Sequence, residues 1–132
     1  MPIQASAFRL PSGARGVRVD CIGTISKEDA DAYMEQVSLG GQFHGLPVLA
    51  VTLQIGNIGP GARGAFIRRG NDRRSERWMA VVVNNPVIRV TTNFVVRISG
   101  TKKLRLFETE EEAALWLDER AREDRSSPGV SR

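Results

Sequence analysis

Three glycines, Gly59, Gly61 and Gly64, stand in the stretch GPGARG at the spacing G-x-G-x-x-G. Between a strand and a helix, that spacing lets a backbone approach a pyrophosphate while the first free amides of the helix face the anion. The strand-like run LPVLAVTLQI lies just upstream, and Arg63 stands inside the turn. The chemistry on offer is the binding of a nucleotide or another anion by Gly59, Gly61, Arg63 and Gly64. Two features weigh against a dinucleotide. The end of the next strand, where a carboxylate would hold the ribose hydroxyls, carries Asn84 and Asn85, and Pro60 restricts the backbone between the first two glycines. A turn that delivers the chain to a helix start explains the glycines without any ligand. An anion-binding sensor stays as the alternative.

Other chemistry has little to build on. His44 is the only histidine and lies in GGQFHGLP, so any Ser-His-Asp relay would have to use it, and no nucleophile stands in a recognisable context such as G-x-S-x-G. It reads as a loop residue. Cys21 is the only cysteine, which excludes an internal disulfide and a multi-cysteine zinc site and suits a small buried apolar group. The acidic positions 108–112 fall at a helix start, where the helix dipole favours negative charge. No catalytic residue, metal ligand or cofactor is therefore assigned, and a non-enzymatic role is expected.

Those residues must be positioned by alternating elements. Phe8–Leu10, the turn PSGARG and the run VRVDCIGTI read as a hairpin. Ser26 caps a first helix with Asp29 as its capping-box partner, and Ala30, Tyr33, Met34 and Val37 form one apolar stripe. LPVLAVTLQ is apolar at nearly every position, as in a strand covered on both faces. A weak helix follows, with Ala62, Ala65, Phe66 and Arg69 on one face, and GNDRRSER ends it. WMAVVVNN is a second buried strand. Asn85 caps the next helix with Pro86 at its first position. Val87, Val90, Thr91, Phe94, Val95 and Ile98 recur at helical spacing up to Ser99-Gly100, and Arg89, Asn93 and Arg97 form the opposite face. KKLRLFE is the last strand, and Thr109 with Glu112 caps a final helix that turns Ala113, Trp116 and Leu117 inward. The order hairpin, helix, strand, helix, strand, helix, strand, helix predicts an α/β sandwich with a mixed sheet of four to five strands, the later ones parallel, and about four helices.

At 132 residues, with 41% hydrophobic and 26% charged, the chain fits one soluble domain. The domain is placed at 1–123, with 124–132 as a disordered tail. No apolar stretch approaches the ~20 residues that span a bilayer, and the start lacks a basic and apolar leader pattern. A cytoplasmic location is expected. The formal charge of +4 is unevenly spread: −1 over residues 1–59, +9 over 60–105, −6 over 106–124 and +2 beyond. Such a basic middle suits an acidic partner or screening within the fold. Nucleic acid is set aside although Arg63, Arg68, Arg69, Arg73, Arg74 and Arg77 are dense, because the aromatics of that stretch, Phe66 and Trp78, are expected inward.

In three segments the chain resembles the STAS / SpoIIAA-like family of small bacterial α/β domains: GTISKEDADAYMEQV, WMAVVVNNPVIRVTTNFVVRISG and, most specifically, KKLRLFETEEEAALWL. The resemblance covers roughly residues 6 to 120. It implies a non-catalytic role in which a cytoplasmic module binds a protein partner in signalling or regulation. Some family members are switched by phosphorylation of a Ser or Thr in the turn after a central strand. The corresponding turn here, IGNIGPGARGAF, has no hydroxyl residue; between Ser38 and Ser75 only Thr52 has one. The expected module therefore works without that switch. Asn57, Arg63, Arg68, Arg89, Asn93 and Arg97 are the expected partner contacts, on a helix-lined surface beside the turn. The partner is expected to be a protein, with an acidic surface suiting the arginines, and a homodimer is compatible with so small a sheet.

Overall fold

The computed structural model describes residues 3–37, 40–70, 77–100 and 102–126. Strand β1 (Ile3–Arg9) and strand β2 (Arg15–Ile25) form the hairpin. They are followed by α1 (Lys27–Val37), β3 (Val48–Ile58), α2 (Pro60–Gly70), β4 (Met79–Val82), α3 (Pro86–Ser99), β5 (Leu104–Phe107) and α4 (Glu110–Ser126). The element order is the one the sequence predicts, and so is the α/β class. The strands lie in one sheet in the order β1-β2-β3-β4-β5, antiparallel at the hairpin and parallel from β2 onward. α4 runs to Ser126, three residues past the end placed at Glu123. Residues 127–132 lie outside the described residues.

Strand periodicity divides the core in two. Val48 and Ala50 of β3 point to one face with Val81 and Val83 of the β4 segment, while Leu49, Val51, Ala80 and Val82 point to the other. The first face is covered by α1, α2 and α3. α1 places Ala30, Tyr33, Met34 and Val37 there, all buried, at the spacing of one helical stripe. Among the described residues, the second face is covered by α4, through Ala113, Leu117 and the partly buried Trp116, with Leu10 of the hairpin turn beside it. Trp116 meets Trp78 edge to face at 5.7 Å and 86°. Thr52 is buried within the sheet, where its hydroxyl donates to the carbonyl of Val82 at 2.6 Å.

The predicted caps are in place. The amide of Asp29 donates to Ser26 Oγ at 3.2 Å, and the amide of Ser26 donates back to Asp29 Oδ2 at 3.0 Å. Asn85 Oδ1 accepts from the amides of Val87 and Ile88, and Gly100, at φ 76°, closes α3 in the left-handed conformation that glycine adopts without strain. The amide of Glu112 donates to Thr109 Oγ1 at 3.2 Å. These bonds satisfy backbone groups a helix end leaves open, and so fix both where each helix starts and its rotation about its axis.

Candidate functional site

The glycine turn sits where β2 and β3 end together. Ile25 pairs with Ile58, and the amide of Gly59 donates to the carbonyl of Ile25 at 3.0 Å. α2 then begins at Pro60, whose missing donor costs nothing in a first turn. Chain-to-chain approach accounts for two of the glycines. A Cβ on Gly59 would stand 3.3 Å from the carbonyl oxygen of Ile25, and one on Gly61 would stand 3.0 Å from Cβ of Lys27 at the start of α1. The glycines let α1 and α2 leave the sheet side by side. Ala62 and Ala65, both fully buried, continue that close approach, and Phe66 meets Tyr33 edge to face at 6.4 Å.

The six expected partner contacts separate into two groups. Asn57 at the end of β3, Arg68 on α2 and Asn93 and Arg97 on α3 are exposed, while Arg63 and Arg89 are half-buried. Packing of α3 on α2 places the two arginine-bearing helices side by side in one layer. Arg89 is turned differently from its neighbours in the row. Its guanidinium donates to the carbonyl of Val83 at 3.4 Å. It also lines a shallow cleft of about 230 Å³ with Arg105, Leu106, Phe107, Glu108 and Glu112 at the C-terminal end of β5. Two guanidiniums face two carboxylates there, so the cleft has balanced charge. Arg73 and Arg74 lie outside the described residues, as does the side chain of Arg69.

The feature not anticipated from the sequence is the direction of the α3 stripe. Val87, Val90, Phe94 and Ile98, read as an apolar row opposite the arginines, are 70%, 69%, 54% and 51% exposed. The side chain α3 buries fully in the described core is Ile88, with Thr91, Thr92, Val95 and Val96 half-buried behind it. At about 100° per residue, the exposed row and the covered side occupy adjoining arcs. The helix is apolar over more of its circumference than α2 and the sheet can cover. A signal for this stands in the sequence: seven of the fourteen residues of α3 are Val, Ile or Phe, more than one buried face requires.

Reactive groups are quenched. Burial pushes the Cys21 thiol up to about 12, so it stays protonated at neutral pH. Tyr33 is fully buried against the same strands, and its hydroxyl too is pushed well above the usual range, first by desolvation. His44 is exposed in the turn before β3. Among the described residues, no group of three or more His, Cys, Asp or Glu gathers to hold a metal ion, and no helix is long and apolar enough to cross a membrane.

Among solved structures, the chain is similar to an uncharacterised protein of the DUF3478 family with a SpoIIAA-like fold from Shewanella loihica PV-4. The two share 15% identity and superpose with a TM-score of 0.64 over 87% of this chain and 93% of that one. The fold is SpoIIAA-like. Its mixed five-stranded sheet and helix layers are the STAS-like arrangement that the segments GTISKEDADAYMEQV and KKLRLFETEEEAALWL resemble. No family model matches the chain, and no curated protein matches it. At this identity the SpoIIAA-like neighbour speaks for the fold, and the exposed residues of α2 and α3 carry the functional argument.

Proposed function

We propose that this SpoIIAA-like chain is a non-catalytic regulatory module that binds a protein partner, without a phosphorylation switch, through the surface built by the glycine turn, α2 and α3. The observation that carries the reading is the concentration of exposed large apolar side chains on one helix, Val87, Val90, Phe94 and Ile98. A contiguous apolar strip rimmed by polar groups on a soluble domain marks an interaction surface, whereas single scattered apolar residues do not. Asn93 and Arg97 supply that rim on α3, and Asn57 at the end of β3 and Arg68 on α2 are further exposed hydrogen-bonding and charged groups. The turn IGNIGPGARGAF offers no hydroxyl for phosphorylation, so regulation in this reading comes from occupancy of the surface.

The test is capture from native lysate with the full chain as bait, compared with Arg68→Glu/Arg97→Glu, at low and moderate salt. The expected result is a specific protein held by the unaltered chain and lost from the variant, with melting temperature unchanged. Capture that is indifferent to both reversals would remove this surface from the proposal. Thermal shift with a panel of nucleotides addresses the anion-sensor alternative, since a ligand that binds only the native state raises its melting temperature.

A further inference from the structure

The exposed row on α3 has a definite shape. Its members follow at i, i+3, i+7 and i+11, which spans about three turns or roughly 16 Å and confines the four side chains to about 80° of arc. That is the narrow seam of a helix-on-helix contact, narrower than the face by which a helix lies in a bilayer surface. The seam has charge on one side. Asn93 and Arg97 border it, and α3 has no acidic residue. α2, packed on α3, carries Arg63 and the exposed Arg68 and likewise has no acidic residue. A second copy of α3 would bring the same Arg97 and no carboxylate of its own to answer it. An occupant that fits both features carries apolar side chains in a single row and carboxylates along its border.

We propose that the row Val87, Val90, Phe94 and Ile98 seats an amphipathic helix of the partner protein, with Asp or Glu of that helix facing Arg97. This deepens the partner-binding reading and rests on it. Recognition is of the helix-in-groove kind, in which apolar anchors spaced at i, i+3 and i+7 supply the contact and the flanking charges select the partner and its direction.

The test uses the full chain and two designed 18-residue helical peptides of identical apolar row, one with Glu at the bordering positions and one with Lys. Fluorescence anisotropy should show the Glu peptide binding at least tenfold more tightly than the Lys peptide. Phe94→Glu should abolish its binding, and Arg97→Glu should weaken it about tenfold while improving that of the Lys peptide. Phe94→Ala, which removes the anchor without adding charge, should weaken binding of both peptides with the circular dichroism spectrum unchanged. Equal binding of the two peptides, or none, overturns the proposal. So does sedimentation of the chain with phosphatidylglycerol vesicles that depends on Phe94 while the peptides fail, which would assign the row to a membrane. A dimer in analytical ultracentrifugation that Phe94→Glu dissociates would assign it to a second copy. If lysate capture still depends on Arg68 and Arg97 when the peptides fail, the helix is the wrong occupant and the partner-binding reading stands; if both fail, the reading falls with it.

Discussion

Asn85 Oδ1 accepts a hydrogen bond from the amide of Val87 at 2.8 Å, while the side chain of Val87 stands 70% exposed to solvent. The cap sets the rotation of α3 at its first turn. With Val87 and Ile88 tied by their amides to the same carboxamide oxygen, Ile88 points into the core and Val87 out of it. Everything proposed for the α3 surface follows from that rotation.

Removal of the cap should therefore loosen the surface before it loosens the fold. Asn85→Ala is expected to cost about 1 kcal/mol, which lowers the melting temperature by roughly 3–6 °C in a domain of this size. Amide hydrogen exchange should quicken in the first turn of α3 and stay unchanged in β3. Uniform loss of protection would mean that α3 is held by its packing and not by its cap.

Two substitutions on the same helix should separate sharply. Phe94→Glu, at an exposed position, should change stability by no more than about 0.5 kcal/mol in chemical denaturation. Ile88→Ala should cost about 2–5 kcal/mol, because Ile88 is 2% exposed and its truncation leaves a cavity in the core cluster it shares with Ile55 and Ala65. Comparable costs at the two positions would show that the row is buried and that no docking surface exists.

This helix also marks where the sequence stops being legible. Local chemistry read well: the caps at Ser26, Asn85 and Thr109 and the stop at Gly100 each depend on a few neighbouring residues, and all lie where expected. Alternating strands and helices likewise led to the α/β sandwich with its mixed sheet, and the segment KKLRLFETEEEAALWL to the resemblance that the SpoIIAA-like neighbour bears out. Periodicity reports that α3 has an apolar arc but not how much of it the body covers, because coverage depends on where α2 and β5 end in space. The row at Val87, Val90, Phe94 and Ile98 therefore reads in sequence like a core stripe, while Arg89 reads like an outward cation and instead bonds the carbonyl of Val83. The G-x-G-x-x-G spacing shows the same limit: Ile25 and Lys27, over thirty residues earlier, are what crowd Gly59 and Gly61.

The hairpin turn and the last helix are joined across the chain. Ser12 Oγ donates to Asp118 Oδ1 at 2.6 Å, and the Ser12 amide donates to Oδ2 at 3.1 Å. Asp118 is 5% exposed, so its loss leaves the turn amide without a partner. Asp118→Ala should cost about 2 kcal/mol, and Ser12→Ala, which keeps the amide bond, about 1 kcal/mol. If Ser12→Ala costs as much as Asp118→Ala, the hydroxyl rather than the carboxylate anchors the turn.

Alkaline pH should weaken the fold in a defined window. Cys21 has its folded pKa raised from about 9 to about 12 by burial, so the native state prefers the neutral thiol. That preference is fully present below pH 9 and is lost as pH rises from 9 toward 12, where the unfolded chain ionises first. Stability from urea titrations should fall over this window, and the fall should be shallower in Cys21→Val. Thiolate absorbance near 240 nm in the native protein should be absent at pH 9; its presence there would contradict the burial of Cys21.

The most direct measurement of the central claim places a photo-crosslinking amino acid at Val90 on α3 and, separately, at Leu115 on the outer side of α4, both exposed, in the full chain within its native cell. Irradiation should join Val90 to one protein, through a segment bearing Asp or Glu beside an apolar row, while Leu115 yields no such product. The same products from both positions, or none from Val90, would contradict the claim and leave α3 without a partner.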